Sequence, residues 1–200
     1  YEFDPSMFVE PLPSFVTTSS NKISAGLGTI AKVVSYGEKI YSGKLHLSDA
    51  LNRVNNYYLP YHDSLEKLIN ITKESFGGCA LIDCHSMPSN RIGNGSRNNK
   101  SPADIVLGDN HGRSATKALV NEIEDFFISE GLSVKINDPY PGGYTTSNYG
   151  KPKTGVQAIQ IEINRALYMD EKSIKKNEGF LETKQVMDRL VSHLSKLIIV

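Results

Sequence analysis

The pattern of apolar and polar positions predicts a strand that ends in reactive side chains. An apolar run, Cys79 to Ile82, breaks into Asp83, Cys84, His85 and Ser86 and then meets Pro88. This order is typical of a buried strand that delivers side chains to the edge of a sheet. In open α/β sheets, ligands gather beyond the carboxyl ends of the strands. We therefore expect His85 and Ser86 to face a crevice.

A second strand is predicted from Val156 to Asn164, where apolar and polar residues alternate. Ile159, Ile161 and Ile163 fall on one face, and Gln160, Glu162 and Asn164 fall on the other. Two interpretations of the polar face stay open at this point. It meets solvent at an edge strand, or it forms the wall of an active site.

The rest of the chain alternates between strand and helix patterns. In chain order we predict an extended arm over 1–20, a strand Thr29–Val34, a helix from N-cap Ser48 to Lys73, a strand Asp104–Leu107, a helix from N-cap Ser114 to Glu130 ended by Gly131, a strand Ser133–Ile136, and a helix from about Glu178 to Leu197. Residues 89–103 are rich in Asn, Ser, Gly and Arg, which predicts a mobile loop near His85. The alternation favours an α/β fold with helices on both faces of a mixed sheet.

Composition limits the possible partners and the compartment. The 200 residues fit a single domain over 1–200, and 22 Lys plus Arg balance 22 Asp plus Glu. No net charge exists to attract nucleic acid or an anionic membrane, and no run of about 18 apolar residues predicts a membrane span. Cys79 and Cys84 lack the spacing of a structural zinc site. We interpret them as reduced core thiols of a cytoplasmic protein.

His85 and Glu162 are the residue types that a zinc hydrolase uses. A neutral imidazole binds the metal, and a carboxylate takes the proton from metal-bound water. Taken alone, His85 is equally well explained as a hydrogen-bonded structural histidine. A serine hydrolase using Ser86 with His85 is disfavoured, because adjacent strand residues point to opposite faces and the sequence has no GxSxG elbow.

Several ordered segments together resemble one family of enzymes. They are LIDCHSMPS at 81–89, DIVLGD at 104–109, PYPGGYTT at 139–146, YGKP at 149–152 and QIEINRALYMDE at 160–171, with AGLGTIAKVV and YLPYH earlier in the chain. These segments resemble the N-formylglutamate amidohydrolases. The resemblance implies a three-layer α/β/α fold with a mixed central sheet, of the phosphorylase/hydrolase-like kind related to zinc exopeptidases. It also implies hydrolysis of N-formyl-L-glutamate to formate and L-glutamate in histidine degradation.

The same resemblance implies roles for individual residues. His85 matches a zinc ligand, and Glu162 matches the general base that then carries the proton to the departing amine. Zinc would polarise the formyl oxygen and stabilise the oxyanion. Asp83 or Asp109 would orient a ligand histidine, although a capping or turn role explains Asp109 equally well.

Other residues are candidates for binding the substrate. Gly143, Tyr144 and Thr145 are expected to shape the pocket, with a simple Pro-Gly turn as the alternative. Asn164 and Arg165 follow Glu162 on its strand, and a cation must meet the two carboxylates of glutamate. Arg165 is favoured over three other arginines near His85, or it pairs instead with Asp170 or Glu171. The three others are Arg91, Arg97 and Arg113.

The sequence departs from the family pattern at its beginning. In the family, two further zinc ligands and an Asn-Arg pair come from a segment upstream of the point where this sequence starts. We therefore expect a domain truncated at its N-terminus. Two alternatives to the deformylase stay open. One is a non-catalytic domain that binds an acidic small molecule or a partner without metal, and the other is a hydrolase of another N-acyl amino acid or peptide amide.

Overall fold

The computed structural model describes residues 1–34, 37–89 and 103–197. These residues form two compact units, Tyr1–Leu65 and Glu66–Val200. The single domain over 1–200 stays a prediction. Most of the predicted loop over 89–103, including Arg91 and Arg97, lies outside the described residues.

The first unit is built from short helices around a small apolar core. Its helices are α1 (Asn21–Ser24) and α2 (Leu47–Arg53), with a 3-10 turn at Pro5–Met7 and a π-helical turn at Val54–Tyr58. A longer helix, α3 (Leu59–Phe76), leads from the first unit into the second. The core contains Phe3, Met7, Phe8 and Val16 from the predicted arm, together with Ile30, Ala50 and Val54.

Two predictions in the first unit are wrong. Thr29–Val34 does not form a strand, because its backbone bonds to separate segments: the Thr29 N–H donates to the Glu2 carbonyl and the Lys32 N–H to the Gly26 carbonyl. Among the described residues its only β-pairing is an isolated bridge between Val33 and Lys39. Ser48 does not cap α2, whose N-cap is His46. The Glu10 carboxylate accepts from the Leu47 N–H at 2.9 Å, so a distant side chain replaces the local cap.

The second unit contains a four-stranded mixed sheet. Its strands are β1 (Cys79–Met87), β2 (Ile105–Gly108), β3 (Val134–Ile136) and β4 (Val156–Asn164). The order is β1-β4-β2-β3, with β1 parallel to β4, β2 parallel to β3 and β2 antiparallel to β4. The short strands β5 (Met169–Asp170) and β6 (Lys175–Lys176) form a separate pair. The predicted α/β class with a mixed central sheet is confirmed.

Helices α4 (Lys117–Ser129) and α6 (Phe180–Leu194) pack on the isoleucine face of β4. The core there contains Ile105, Leu107, Leu119, Val120, Ile123, Phe127, Ile159, Ile161, Val186 and Leu190. A short helix, α5 (Tyr144–Tyr149), begins at Gly143 against Gln160 on the other face. Gly131 ends α4 with φ 81°, as predicted. Ser114 does not cap α4, because Thr116 occupies the N-cap and its Oγ1 accepts from the Leu119 N–H.

β1 is less buried than its apolar start predicts. It lies at one end of the described sheet and pairs with β4 alone among the strands of the described residues. Cys79 is buried, but Cys84 is exposed, so the interpretation of Cys84 as a core thiol is wrong. Both cysteines are free thiols. No helix within the described ranges is long and apolar enough to cross a membrane.

Candidate functional site

The strand register sets His85 beside Glu162. β1 and β4 run parallel, and His85 and Glu162 are direct partners across the two strands. The same register pairs Asp83 with Gln160. Alternate residues of a strand share one face, so these four polar side chains lie together on the side of the sheet opposite the isoleucines.

The polar face of β4 is buried. Gln160 is 4% exposed, and Glu162 and Asn164 are each 6% exposed. β4 lies between β1 and β2, so these residues are not the outer face of an edge strand. The solvent interpretation of this face is therefore wrong. A buried carboxylate is costly unless it is hydrogen-bonded or has a function, and this favours the active-site interpretation.

His85 is the most exposed of these four polar side chains. Its Nε2 is 3.2 Å from Oδ2 of Asp83, and the side chain of His85 is 48% exposed while that of Asp83 is 15% exposed. A carboxylate at this distance orients an imidazole ring. The orienting role of Asp83 stays a prediction.

Glu162 lies deeper than His85. Burial raises the pKa of the Glu162 carboxyl above its ordinary value, and the nearby His85 and the Gln160 amide partly oppose that rise. Gln160 Nε2 donates to Oε1 of Glu162 at 2.8 Å. The Glu162 carboxyl therefore accepts a hydrogen bond from Gln160 and has an increased affinity for a proton.

The loop before α5 contacts Gln160, one of these four polar side chains. The Gly143 N–H donates to Oε1 of Gln160 at 2.8 Å, so Gly143 lies beside the residue that contacts Glu162, and its role in shaping a substrate pocket stays a prediction. Tyr144 and Thr145 begin α5, and the Tyr144 side chain is about half exposed. The loop is thus more than a simple turn, because its backbone contacts the residue that holds Glu162.

Asn164 and Arg165 contact protein groups in this structure. Asn164 Oδ1 accepts from the Ala166 N–H at 3.0 Å, and its Nδ2 donates to the Ala103 carbonyl at 3.3 Å. Arg165 donates to Oγ and to the carbonyl of Ser86, and its Nη1 lies 3.9 Å from Glu171. The pairing with Glu171 that the sequence left open is present. The substrate-binding roles of Asn164 and Arg165 stay predictions.

Asp109 has the contacts of a turn residue. Its carboxylate accepts from Asn137 Nδ2 at 2.7 Å and from the Gly112 N–H at 3.0 Å. Asp109 also lines a cleft of about 980 Å³ at the start of α4, and neither His85 nor Glu162 lines this cleft. Of the two carboxylates predicted to orient a ligand histidine, Asp83 is the one that contacts His85.

Known proteins resemble this chain in sequence and in structure. A family model described as N-formylglutamate amidohydrolase matches residues 1–169. The chain belongs to the N-formylglutamate amidohydrolase family. The family that the motifs at 81–89 and 160–171 predicted is therefore confirmed.

Two curated relatives are N-formylglutamate deformylases. The enzyme of Pseudomonas aeruginosa is 34% identical over 119 residues, which are 58% of this chain and 43% of the relative. The enzyme of Pseudomonas putida is 31% identical over 115 residues, which are 56% of this chain and 41% of the relative. The matched region of this family member thus spans less than half the length of either curated relative.

A solved structure supports the fold over nearly the whole chain. The crystal structure of N-formylglutamate amidohydrolase from Ralstonia eutropha JMP134 superimposes with a TM-score of 0.89 at 32% identity, covering 98% of this chain and 70% of that one. A gene product of Agrobacterium tumefaciens superimposes with a TM-score of 0.57 at 19% identity and shows the fold alone. The N-formylglutamate amidohydrolase fold is therefore present here.

The described part of this family member does not contain a complete metal site. Catalytic zinc sites use three protein ligands and one open position. Over 1–34, 37–89 and 103–197, no group of three or more His, Cys, Asp or Glu side chains is arranged to hold a metal ion. His85 contributes one imidazole, whose Nε2 lies 3.2 Å from the Asp83 carboxylate.

Two residues of this family member were missed by the sequence reasoning. Gln160 was placed on the polar face but given no role, although a residue two positions before Glu162 on the same strand shares its face. Gly108 was not singled out, although a glycine that ends a strand indicates close approach of another backbone. Glu171 accepts a hydrogen bond from the Ser89 N–H and lies near Arg165. The contact with Ser89 could not be predicted from the local sequence, because the two residues are 82 positions apart.

Proposed function

We propose that the protein carrying this chain hydrolyses the formamide C–N bond of N-formyl-L-glutamate and releases formate and L-glutamate. The observation that carries the proposal is the pairing of His85 with Glu162 on the buried polar face of β1 and β4. Membership of the N-formylglutamate amidohydrolase family names the substrate class. A place in histidine degradation follows from that substrate and is part of the proposal.

Glu162 would act as the general base and then as the proton carrier. A water molecule adds its oxygen to the formyl carbon as Glu162 takes one of its protons. The C–N bond then breaks, and Glu162 passes that proton to the departing amine nitrogen. The raised pKa of Glu162, caused by burial, favours uptake of the proton. Gln160 holds the carboxylate from one side during both transfers.

Zinc dependence is part of the proposal, with His85 as one ligand. The support for this role is the position of the His85 imidazole, which lies beside the Asp83 carboxylate that would orient it. Because the described residues do not complete the donor set, the remaining ligands would come from outside them.

Substrate recognition would use the loop before α5 and a cation. The backbone N–H of Gly143 donates to Gln160, and Tyr144 and Thr145 follow Gly143 at the start of α5. The Arg165 guanidinium is our candidate for a substrate carboxylate. Its contacts with Ser86 hold the side chain in place, and Glu171 at 3.9 Å leaves it capacity for a stronger ion pair.

The test is formate release from N-formyl-L-glutamate by the natural full-length protein, with metal content measured in parallel. Glu162→Gln preserves the shape of the side chain but removes the base, so we expect kcat to fall by about 10²- to 10⁴-fold. Metal content should not change. Glu130→Gln is the control, since Glu130 pairs with Arg189 on the surface.

The possible results separate the alternatives. An active protein that loses activity only with Glu162→Gln supports the deformylase and the role of Glu162. A protein that releases no formate but hydrolyses another N-acyl amino acid would make the substrate assignment wrong. A folded full-length protein that hydrolyses none of these amides would favour the non-catalytic domain.

A further inference from the structure

Gln160 joins two parts of the candidate site through one side chain. Its Nε2 donates to Oε1 of Glu162 at 2.8 Å, and its Oε1 accepts from the Gly143 N–H at 2.8 Å. Gln160 is 4% exposed, so water does not compete effectively for either bond. One amide therefore links the candidate base to the loop that precedes α5.

The chemistry of the partners requires this orientation of the amide. The Gly143 N–H is a donor and can meet only the amide oxygen, while an ionised Glu162 is an acceptor and must meet the amide NH₂ group. An apolar residue at 160 would leave both groups buried and unpaired. A glutamate there would set a second carboxylate against Glu162.

We propose that Gln160 is a positioning residue, which fixes the Glu162 carboxylate for proton transfer and couples its placement to the loop at Gly143. The proposal rests on the proposed function, in which Glu162 is the base. Movement of the loop would be transmitted to Glu162 through the amide. Gln160 would act on the substrate only through Glu162.

The backbone at Gly143 is suited to this coupling. A Cβ atom at Gly143 would lie 3.2 Å from Oε1 of Gln160, and no other heavy atom outside its chain neighbours lies within 4 Å of that position. Gly143 has φ −94°, outside the left-handed region that favours glycine. The change Gly143→Ala would therefore press on Gln160 alone and would not disturb a packed core.

The first variant of the test is Gln160→Met, which keeps the volume and removes both hydrogen bonds. We expect kcat for formate release to fall by about 100-fold, since a misplacement of about 1 Å has an effect of that size. Gly143→Ala should lower kcat by less. In the double variant the two effects should not add, because Gly143→Ala acts through a side chain that Gln160→Met has removed.

The matched control is Gln157→Met. Gln157 is a buried glutamine on the same strand, at 6% exposure, and its Oε1 accepts from the N–H and Oγ1 of Thr116. It stands an odd number of positions from Gln160 and so faces the other side of the sheet. Gln157→Met should lower the thermal midpoint while kcat per folded molecule stays within about twofold of the wild type, because Gln157 is remote from Glu162.

Each result supports or overturns the proposal. A large loss of kcat with Gln160→Met, a normal kcat with Gln157→Met and a non-additive double variant support it. Equal losses in both glutamine variants, or additive effects of Gly143→Ala and Gln160→Met, overturn it in favour of a structural role. If Gln160→Met does not fold, an unchanged kcat in Gly143→Ala overturns it. An active Gln160→Met variant overturns this inference alone, whereas an inactive wild type overturns the proposed function together with it.

Discussion

At the scale of single residues, Gly108 determines how closely the loop before α5 approaches the sheet. A Cβ atom there would lie 2.7 Å from the Gly142 nitrogen and 2.8 Å from the Tyr140 carbonyl oxygen. Both atoms belong to backbone, so neither moves without moving the loop. Gly108 also pairs with Gln160 across β2 and β4. The absent side chain therefore leaves room for the loop beside the residue that holds Glu162.

We predict that Gly108→Ala destabilises the protein by about 1–3 kcal/mol, the usual effect of overpacking. It should also lower kcat/KM for formate release, because the loop that carries Gly143 must shift. Urea unfolding and formate release measure the two effects. The control is Gly43→Ala, since no heavy atom lies within 4 Å of a Cβ at Gly43. Equal free energies of unfolding for the two variants would contradict the prediction.

The residues of the site differ in how far sequence alone could place them. His85 and Glu162 lie in distinctive motifs, and the register sets them side by side. The contacts of Arg165 with Ser86 and of Asp109 with Asn137 join residues 79 and 28 positions apart. Such contacts depend on tertiary packing, and periodicity along the chain contains no information about them.

At the scale of elements, an ion pair connects the end of α4 to α6. Arg189 Nε donates to Oε1 of Glu130 at 2.8 Å, and Nη2 donates to the second carboxylate oxygen. Glu130 is the C-cap of α4, where a negative charge meets the negative end of the helix dipole. Arg189 offsets that unfavourable interaction and lowers the pKa of the Glu130 carboxyl. The pair thus links two helices that share the isoleucine face of the sheet.

The lowered pKa of Glu130 makes this contribution depend on pH. A carboxyl whose pKa is lower in the folded protein stabilises it above the unfolded pKa, near 4.5, and loses that effect as pH falls through the folded pKa. We predict that Arg189→Gln lowers the free energy of unfolding at pH 6–7 and that its difference from wild type shrinks below about pH 4.5. Urea unfolding between pH 3 and 7 measures this difference.

Lys184→Gln is the matched control for Arg189→Gln. Lys184 pairs with Asp188 one turn along the same helix, so this variant removes a cation from α6 without touching α4. Its effect should be smaller than that of Arg189→Gln. A difference between Arg189→Gln and wild type that stays constant down to pH 3 would show that Glu130 does not carry the effect.

Elements with strong periodicity were predicted well, and their caps were not. β4 runs from Val156 to Asn164 as its alternation predicts. The predicted caps Ser48 and Ser114 are both wrong. α2 starts earlier, with N-cap His46 and the Leu47 N–H donating to Glu10, and α4 starts later, with N-cap Thr116. A capping rule considers residues next to the helix, whereas a carboxylate 37 positions away competes equally in the folded chain.

At the scale of the whole molecule, the class and family could be predicted because the evidence is spread along the chain. Strand and helix patterns alternate throughout, and the family segments extend from the first unit to residue 171. The division into two compact units at Leu65 could not be predicted. It falls within α3, where the sequence pattern continues without a break.

The charges of the whole chain balance, and this has a consequence for solubility. The 22 basic and 22 acidic residues give a formal charge of zero near neutral pH, and the sequence pI is about 7.1. A protein without net charge has little repulsion between copies to oppose association. Away from that pH the chain carries a net charge, so solubility should rise on both sides of a minimum.

We predict that the solubility of this chain is lowest at about pH 7, the pH at which its charges cancel. The measurement is the polyethylene glycol concentration that precipitates half of the protein, determined from pH 5.5 to 9. Lys39→Glu, at an exposed position, lowers the net charge by two and should move the minimum to lower pH. A minimum that does not move would show that a local patch controls association, since a change in net charge would then have no effect on it.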